Sequence, residues 1–134
     1  MSRSLIQTTN LTSQTIAENG IISLGSVMRR FGCDLALSGN AVEVTGTGYY
    51  TITCNVSVLP TASGNVTVAL YDNGAQIPGA VAYGSVSTAS NPVTLPIETT
   101  IRRGCCCEGS DSITAVLLEG AGVVSNVSVR IEKA

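Results

Sequence analysis

The residues of this sequence best suited to chemistry are its thiols and its arginines. Three of its five cysteines stand side by side in "IRRGCCCEGSD", residues 101 to 111, directly after Arg102 and Arg103. Tetrahedral zinc asks for four thiolate or imidazole ligands on one centre, usually as spaced pairs. The chain has no histidine at all. Neighbouring residues of an extended strand point to opposite faces, so Cys105 and Cys107 share a side and Cys106 does not. A metal would therefore have to combine Cys33, Cys105 and Cys107, or form across a symmetry axis. The reading is that no metal is held, and that Cys33, Cys105 and Cys107 are the set that would hold one. A disulfide between adjacent cysteines is strained. Cys54 alternates with Tyr50, Ile52 and Val56 and reads as a small buried hydrophobe.

The arginines come in two similar settings. Arg29 and Arg30 precede "FGC", and Arg102 and Arg103 precede "GCCC", in a chain with only seven Lys and Arg in total. All four are candidates for contact with a partner. They can meet carboxylates such as Asp34, Glu108 or Asp111 across a subunit boundary, or an acidic partner or glycan carboxylate. They can equally be solvated charges that guard strand ends. Both readings stay open.

Catalysis finds no footing. No imidazole is available as a general base, "GSVMRR" is not a nucleophile elbow, and phosphate-loop and dinucleotide fingerprints are absent. The glutamates are scattered near turns, and there is no Trp to wall a carbohydrate cleft. The expectation is a non-enzyme without cofactors. "LYDNGAQ" reads as a hairpin turn, not a calcium loop.

What must position these residues is sheet. The chain has 134 residues, long enough for one domain that buries roughly two-thirds of its unfolded surface. Charged residues make up 12% of it, against about 25% in an average globular protein. The abundance of Val, Thr, Ser and Asn favours pleated structure. A net charge of -2 leaves no basic footprint for nucleic acid. No stretch approaches the roughly 18 to 20 apolar residues of a membrane span, and the N-terminus lacks the apolar core of a secretory signal. The expectation is a chain that stays in the cytosol where it is made or leaves with an assembled particle, with the thiols reduced and the Asn-x-Ser/Thr triplets unmodified.

Period-2 patterns recur along the chain between turn residues, and no window holds a helical period. Residues 1–14 are mostly polar and read as an N-terminal arm, with a single domain over 15–134. Asn19-Gly20, Ser38-Gly39-Asn40 and Asp72-Asn73-Gly74 are turn signals, the first expected to close a hairpin. "GYYTITCNVSVL" turns Tyr50, Ile52, Cys54, Val56 and Val58 inward and Tyr49, Thr51, Thr53, Asn55 and Ser57 outward. "AQIPGAVAYG" reads as a broken edge strand because Pro78 cannot donate to a ladder. In "DSITAVLLEG", Ile113, Ala115 and Leu117 fill a core while Val116 and Leu118 face the other way and ask for a cover. The sum is an all-β antiparallel sandwich of about 8 to 10 strands.

The order of these segments carries a resemblance. "GYYTITCNVSV", then "VALYDNGAQIPGA" with Val68, Leu70, Asn73, Gly74, Ile77, Pro78 and Gly79, then "NVSVRIEKA" with Asn126, Ser128, Val129, Ile131 and Lys133, is similar to the trimeric jelly roll of the tumour necrosis factor and complement globular-head superfamily. It resembles in particular the bacterial and phage branch, known from spore-surface collagen-like glycoproteins and small virion proteins. The resemblance implies a homotrimeric jelly roll, whose threefold interface would supply the cover that Val116 and Leu118 ask for; the "RRFGC" and "RRGCCC" stretches depart from the family, where many members are merely polar. The chain also departs from the usual layout in lacking a collagen-like stalk. The implied function is a structural or decoration protein on a virion or other particle surface, bound to capsid or particle proteins through the N-terminal arm. The alternative is an attachment module for a host glycan or receptor.

Overall fold

A computed structural model describes residues 4–89, 91–103 and 111–133. Twelve strands, and no helix among the described residues, form two antiparallel sheets packed face to face. The first sheet runs β10 (Val93–Arg103), β7 (Gly48–Pro60), β12 (Gly122–Lys133), β1 (Leu5–Asn10), β4 (Ser26–Phe31), with β2 (Gln14–Ile16) beside the start of β12. The second runs β5 (Leu35–Ser38), β6 (Ala41–Val44), β11 (Asp111–Glu119), β8 (Gly64–Asp72), β9 (Ala75–Val86), with β3 (Gly20–Ile22) beside β11. Neighbouring strands are mostly distant in sequence, so the chain repeatedly crosses between layers, as a jelly roll does.

Alternation puts the core where the sequence indicates. On β7, Tyr50, Ile52, Cys54, Val56 and Val58 are fully buried, and they meet Val66, Val68 and Leu70 of β8 and Ile113, Ala115 and Leu117 of β11 in one cluster. Cys54 lies between Ile97 on β10 and Val129 on β12, so its thiol replaces a methyl-sized group in the core. Burial pushes its pKa up to about 12. Asn73 and Gly74 both adopt positive φ, 53° and 84°, and form the two-residue connection of the β8–β9 hairpin. That is the backbone a type I′ turn requires and the reason Asn-Gly suits it. β9 is the second sheet's edge, and Pro78 sits on it without costing the ladder an interior bond.

Two expectations are corrected. Residues 5–10 are not an arm: they form β1, which pairs with β12 from Leu5↔Glu132 to Asn10↔Val127 and with β4 on its other side. Ile6 and Thr8 face inward and are fully buried, so this segment is interior sheet. Asn19-Gly20 makes a turn, with the Gly20 amide donating to the Ala17 carbonyl, but it joins no hairpin. β2 and β3 on either side belong to different sheets, so the turn carries the chain across the sandwich.

Candidate functional site

Period 2 splits the second arginine pair. Arg103 has the parity of Leu95, Ile97 and Ile101 on β10, and it enters the end of the sandwich with only 4% of its surface exposed. Arg102 faces out, its guanidinium 6.0 Å from the ring centre of exposed Tyr49 on β7, a cation–π distance. Inside, Arg103 Nε donates to the Thr45 carbonyl at 3.0 Å and its guanidinium pairs with Asp111 at 3.1 Å. Asn73 Nδ2 donates to the same carboxylate at 3.1 Å, and the Ser112 amide donates to Asn73 Oδ1 at 2.9 Å. Arg103 thus ties the end of β10 to the β6–β7 turn and to β11. As a partner contact it is corrected: a residue so enclosed is a structural cation.

The same end carries a second knot. Lys133 Nζ pairs with Asp34 Oδ2 at 3.1 Å, and Ser4 Oγ donates to that oxygen at 3.2 Å. The Tyr50 hydroxyl donates to the Gly46 carbonyl at 2.8 Å. A Cβ on Gly46 would stand 2.4 Å from the Asp34 carboxyl, so a larger residue there would have to push that carboxyl aside. Burial raises the Tyr50 pKa, helped by Asp34 and opposed by Arg103. Burial also raises that of Asp72, helped by Asp111 and opposed by Arg103, and Asp72 Oδ1 is buried without a hydrogen-bond partner. These groups seal the sandwich end, with Arg103 matched to Asp111 and Lys133 to Asp34.

Arg29 and Arg30 meet a different fate. β4 is the first sheet's edge, and all six of its residues are exposed. Arg29 lies opposite Gln7 and Arg30 opposite Ile6, so they too point to opposite faces. Arg30 stays exposed, although its Nε donates to the Leu35 carbonyl of β5, in the second sheet, at 2.6 Å. Cys33 follows in the exposed turn, far from any clustered ligand: no group of three potential metal ligands occurs among the described residues. Cys105 and Cys107 lie outside the described residues, as does Cys106.

On β11, Val116 is 8% exposed in the single chain. Ile21 on β3 and Ala69 on β8 flank it in register and supply most of the cover that its outward parity seemed to demand from another subunit. Leu118 is half-buried, and Ile21 is the exposed apolar group of this patch. The first sheet's outer surface is broad and polar, with Thr51, Thr53, Asn55 and Ser57 of β7 beside Thr100, Glu98, Pro96 and Thr94 of β10. Where the sheets' edges meet, a cleft of about 320 Å³ is lined by Asp72, Gln76, Ile77, Pro78, Ile101 and Arg102 among others.

Hydroxyls meet carboxylates among the described residues, Ser4 with Asp34 and Ser112 with Glu43, and this geometry defines no reaction by itself. It defines a class instead, an antiparallel jelly-roll sandwich with charge locked into one end and polar outer sheets. Within that class the fold is the one shared by tumour necrosis factor-like ligands and complement globular heads. Murine APRIL matches over 98% of this chain and 99% of its own at a TM-score of 0.76 and 13% identity. The globular domain of zebrafish complement 1qA matches over 94% of each chain at 0.69 and 7%. The vertex protein P5 of phage PRD1 matches over 97% of this chain and 96% of its own at 0.67 and 15%. Such identities show the fold. No protein-family model matches the sequence, and no curated protein does.

Proposed function

We propose that this chain is a non-enzymatic structural module that assembles as a homotrimer and is displayed on the surface of a particle, most specifically as a phage virion decoration or fibre protein made in a bacterial cytoplasm. The observation that carries this reading is the end-to-end match with the PRD1 vertex protein, which covers 97% of this chain. The outer face of the first sheet supports it, because the hydroxyl and amide side chains of β7 and β10 offer a wide polar surface that another subunit can cover. Arg102 with Tyr49, and Leu118 with Val116 and Ile21, are the contacts we assign to subunit or partner interfaces. Attachment through residues 1–14 as a free arm is not part of this reading, because residues 5–10 are committed to the sheet. Light scattering coupled to size exclusion tests the oligomer. Three times the 13.7 kDa chain mass is expected, and a monomer at micromolar concentration refutes the trimer.

A second reading, glycan or receptor attachment, is favoured by the edge cleft. Arg102 at its rim can meet a sugar carboxylate, Gln76 can meet hydroxyls, and Ile77 and Pro78 offer an apolar floor. A glycan-array signal abolished by Arg102→Ala would establish it. A signal unchanged by that substitution would remove it.

A further inference from the structure

We propose that β4 is a docking edge for an extended acidic strand contributed by a partner protein, added alongside it in the manner of β-augmentation. The first sheet ends at β4, so one side of that strand has no ladder partner among the described residues. Its three large apolar side chains are all substantially exposed, Val27 at 41%, Met28 at 55% and Phe31 at 52%. Met28 is the extra residue of a bulge, since Gln7 pairs with Arg29 and Thr8 with Val27.

The other edges of the sandwich are guarded. β9 contains Pro78, β5 has only four residues, and β10 packs its inner side chains Leu95 and Ile97 into the core and carries Pro96 and Glu98 outside. On β4 the guards are the Met28 bulge and two arginines, and the arginines are selective. They repel a cationic strand and attract a carboxylate-bearing one. Among the described residues, the ion pairs are made by Arg103, Arg130 and Lys133, so Arg29 and Arg30 engage no carboxylate. The charge of β4 is also its argument against a second copy as the occupant. Self-pairing would bring a second pair of arginines to the first, whereas a strand alternating acidic and apolar residues sets its carboxylates on the outer face beside Arg29 and its apolar residues on the face of Val27 while its backbone pairs with the open edge. This inference does not depend on the trimer.

The test uses the isotope-labelled full chain and a short acetylated peptide alternating glutamate with valine, followed by amide chemical shifts. Shifts concentrated on residues 26–31 are expected. Arg29→Glu, which removes no described contact, should weaken binding about tenfold. N-methylation of alternate peptide amides should abolish binding although every charge is kept. Failure of the peptide to perturb β4 overturns the proposal. So does equal binding by the N-methylated peptide, which would mean bare ion pairing, or protection from exchange, without peptide, of the β4 amides directed away from β1, which would mean a second copy already covers the edge.

Discussion

The chain writes nearly the same phrase twice, Arg-Arg-Phe-Gly-Cys at Arg29 and Arg-Arg-Gly-Cys at Arg102, and folds the two in opposite ways. At the second, the strand runs along a sheet that the other layer covers, so one arginine is driven inside and one left out over Tyr49. At the first, the strand is the sheet's edge and both arginines stay exposed, Arg30 donating only to the Leu35 carbonyl. The side chains obey the same period in each place. What differs is how far the rest of the fold encloses the side chain, and this sets whether a cation stabilises the fold or remains available to something else.

The largest effect expected from breaking this contrast is at Arg103. Arg103→Ala strands the Asp111 carboxylate and the Thr45 carbonyl at the sandwich end, and should cost about 3–5 kcal/mol in denaturant unfolding. Arg103→Lys should recover only part of that, because a point charge cannot serve both acceptors from one planar fork. Next is the cysteine contrast. Cys54→Ser places a hydroxyl in the core and should cost roughly 1–3 kcal/mol. Brief maleimide labelling of the native protein followed by peptide mapping should find Cys33 modified and Cys54 untouched, its thiol being enclosed and its pKa pushed up to about 12.

A smaller effect belongs to pH. The Asp72 pKa is raised in the folded state, by burial first and by Asp111 second. The folded protein therefore holds that proton more tightly than the unfolded chain, so this contribution is full below the ordinary carboxylate value of 3.8 and is lost as pH rises through the raised folded value. Asp72→Asn should match the parent in melting temperature at low pH and exceed it increasingly as pH rises to neutrality. Smallest of all, Arg29→Ala should leave stability within about 0.5 kcal/mol of the parent, since the exposed side chain contributes no described hydrogen bond. A cost at Arg29 rivalling that at Arg103 would undo the comparison.

Strand periodicity made much of this readable beforehand. The inward set of β7, the Asn73-Gly74 turn and the Pro78 edge all follow from local rules, and they sit where those rules put them. Even the burial of Arg103 was legible, since it continues the parity of Leu95, Ile97 and Ile101; treating two adjacent arginines as one patch concealed it. Other features depend on partners far along the chain. Nothing local in "LIQTTN" announces a strand between β12 and β4, because its buried Thr8 looks polar and only Leu5 and Ile6 look apolar. Asn19-Gly20 has the composition of a hairpin turn, and only the separate sheets on either side make it a crossing. The cover over Val116 comes from Ile21 and Ala69, which no short window contains together.

The pairing of β1 with β12 has a consequence in time. Leu5 meets Glu132, so a strand near the start of this chain waits for one near its end. At synthesis rates of roughly 5–20 residues per second, that wait lasts on the order of ten seconds, during which β1 has no place to go. A sticky strand would spend that interval finding wrong neighbours, including its twin on the next nascent chain. "LIQTTN" is half threonine and asparagine, with little to attract a stranger. The polarity that disguises it as a tail lets it stay idle until its proper partner has been made.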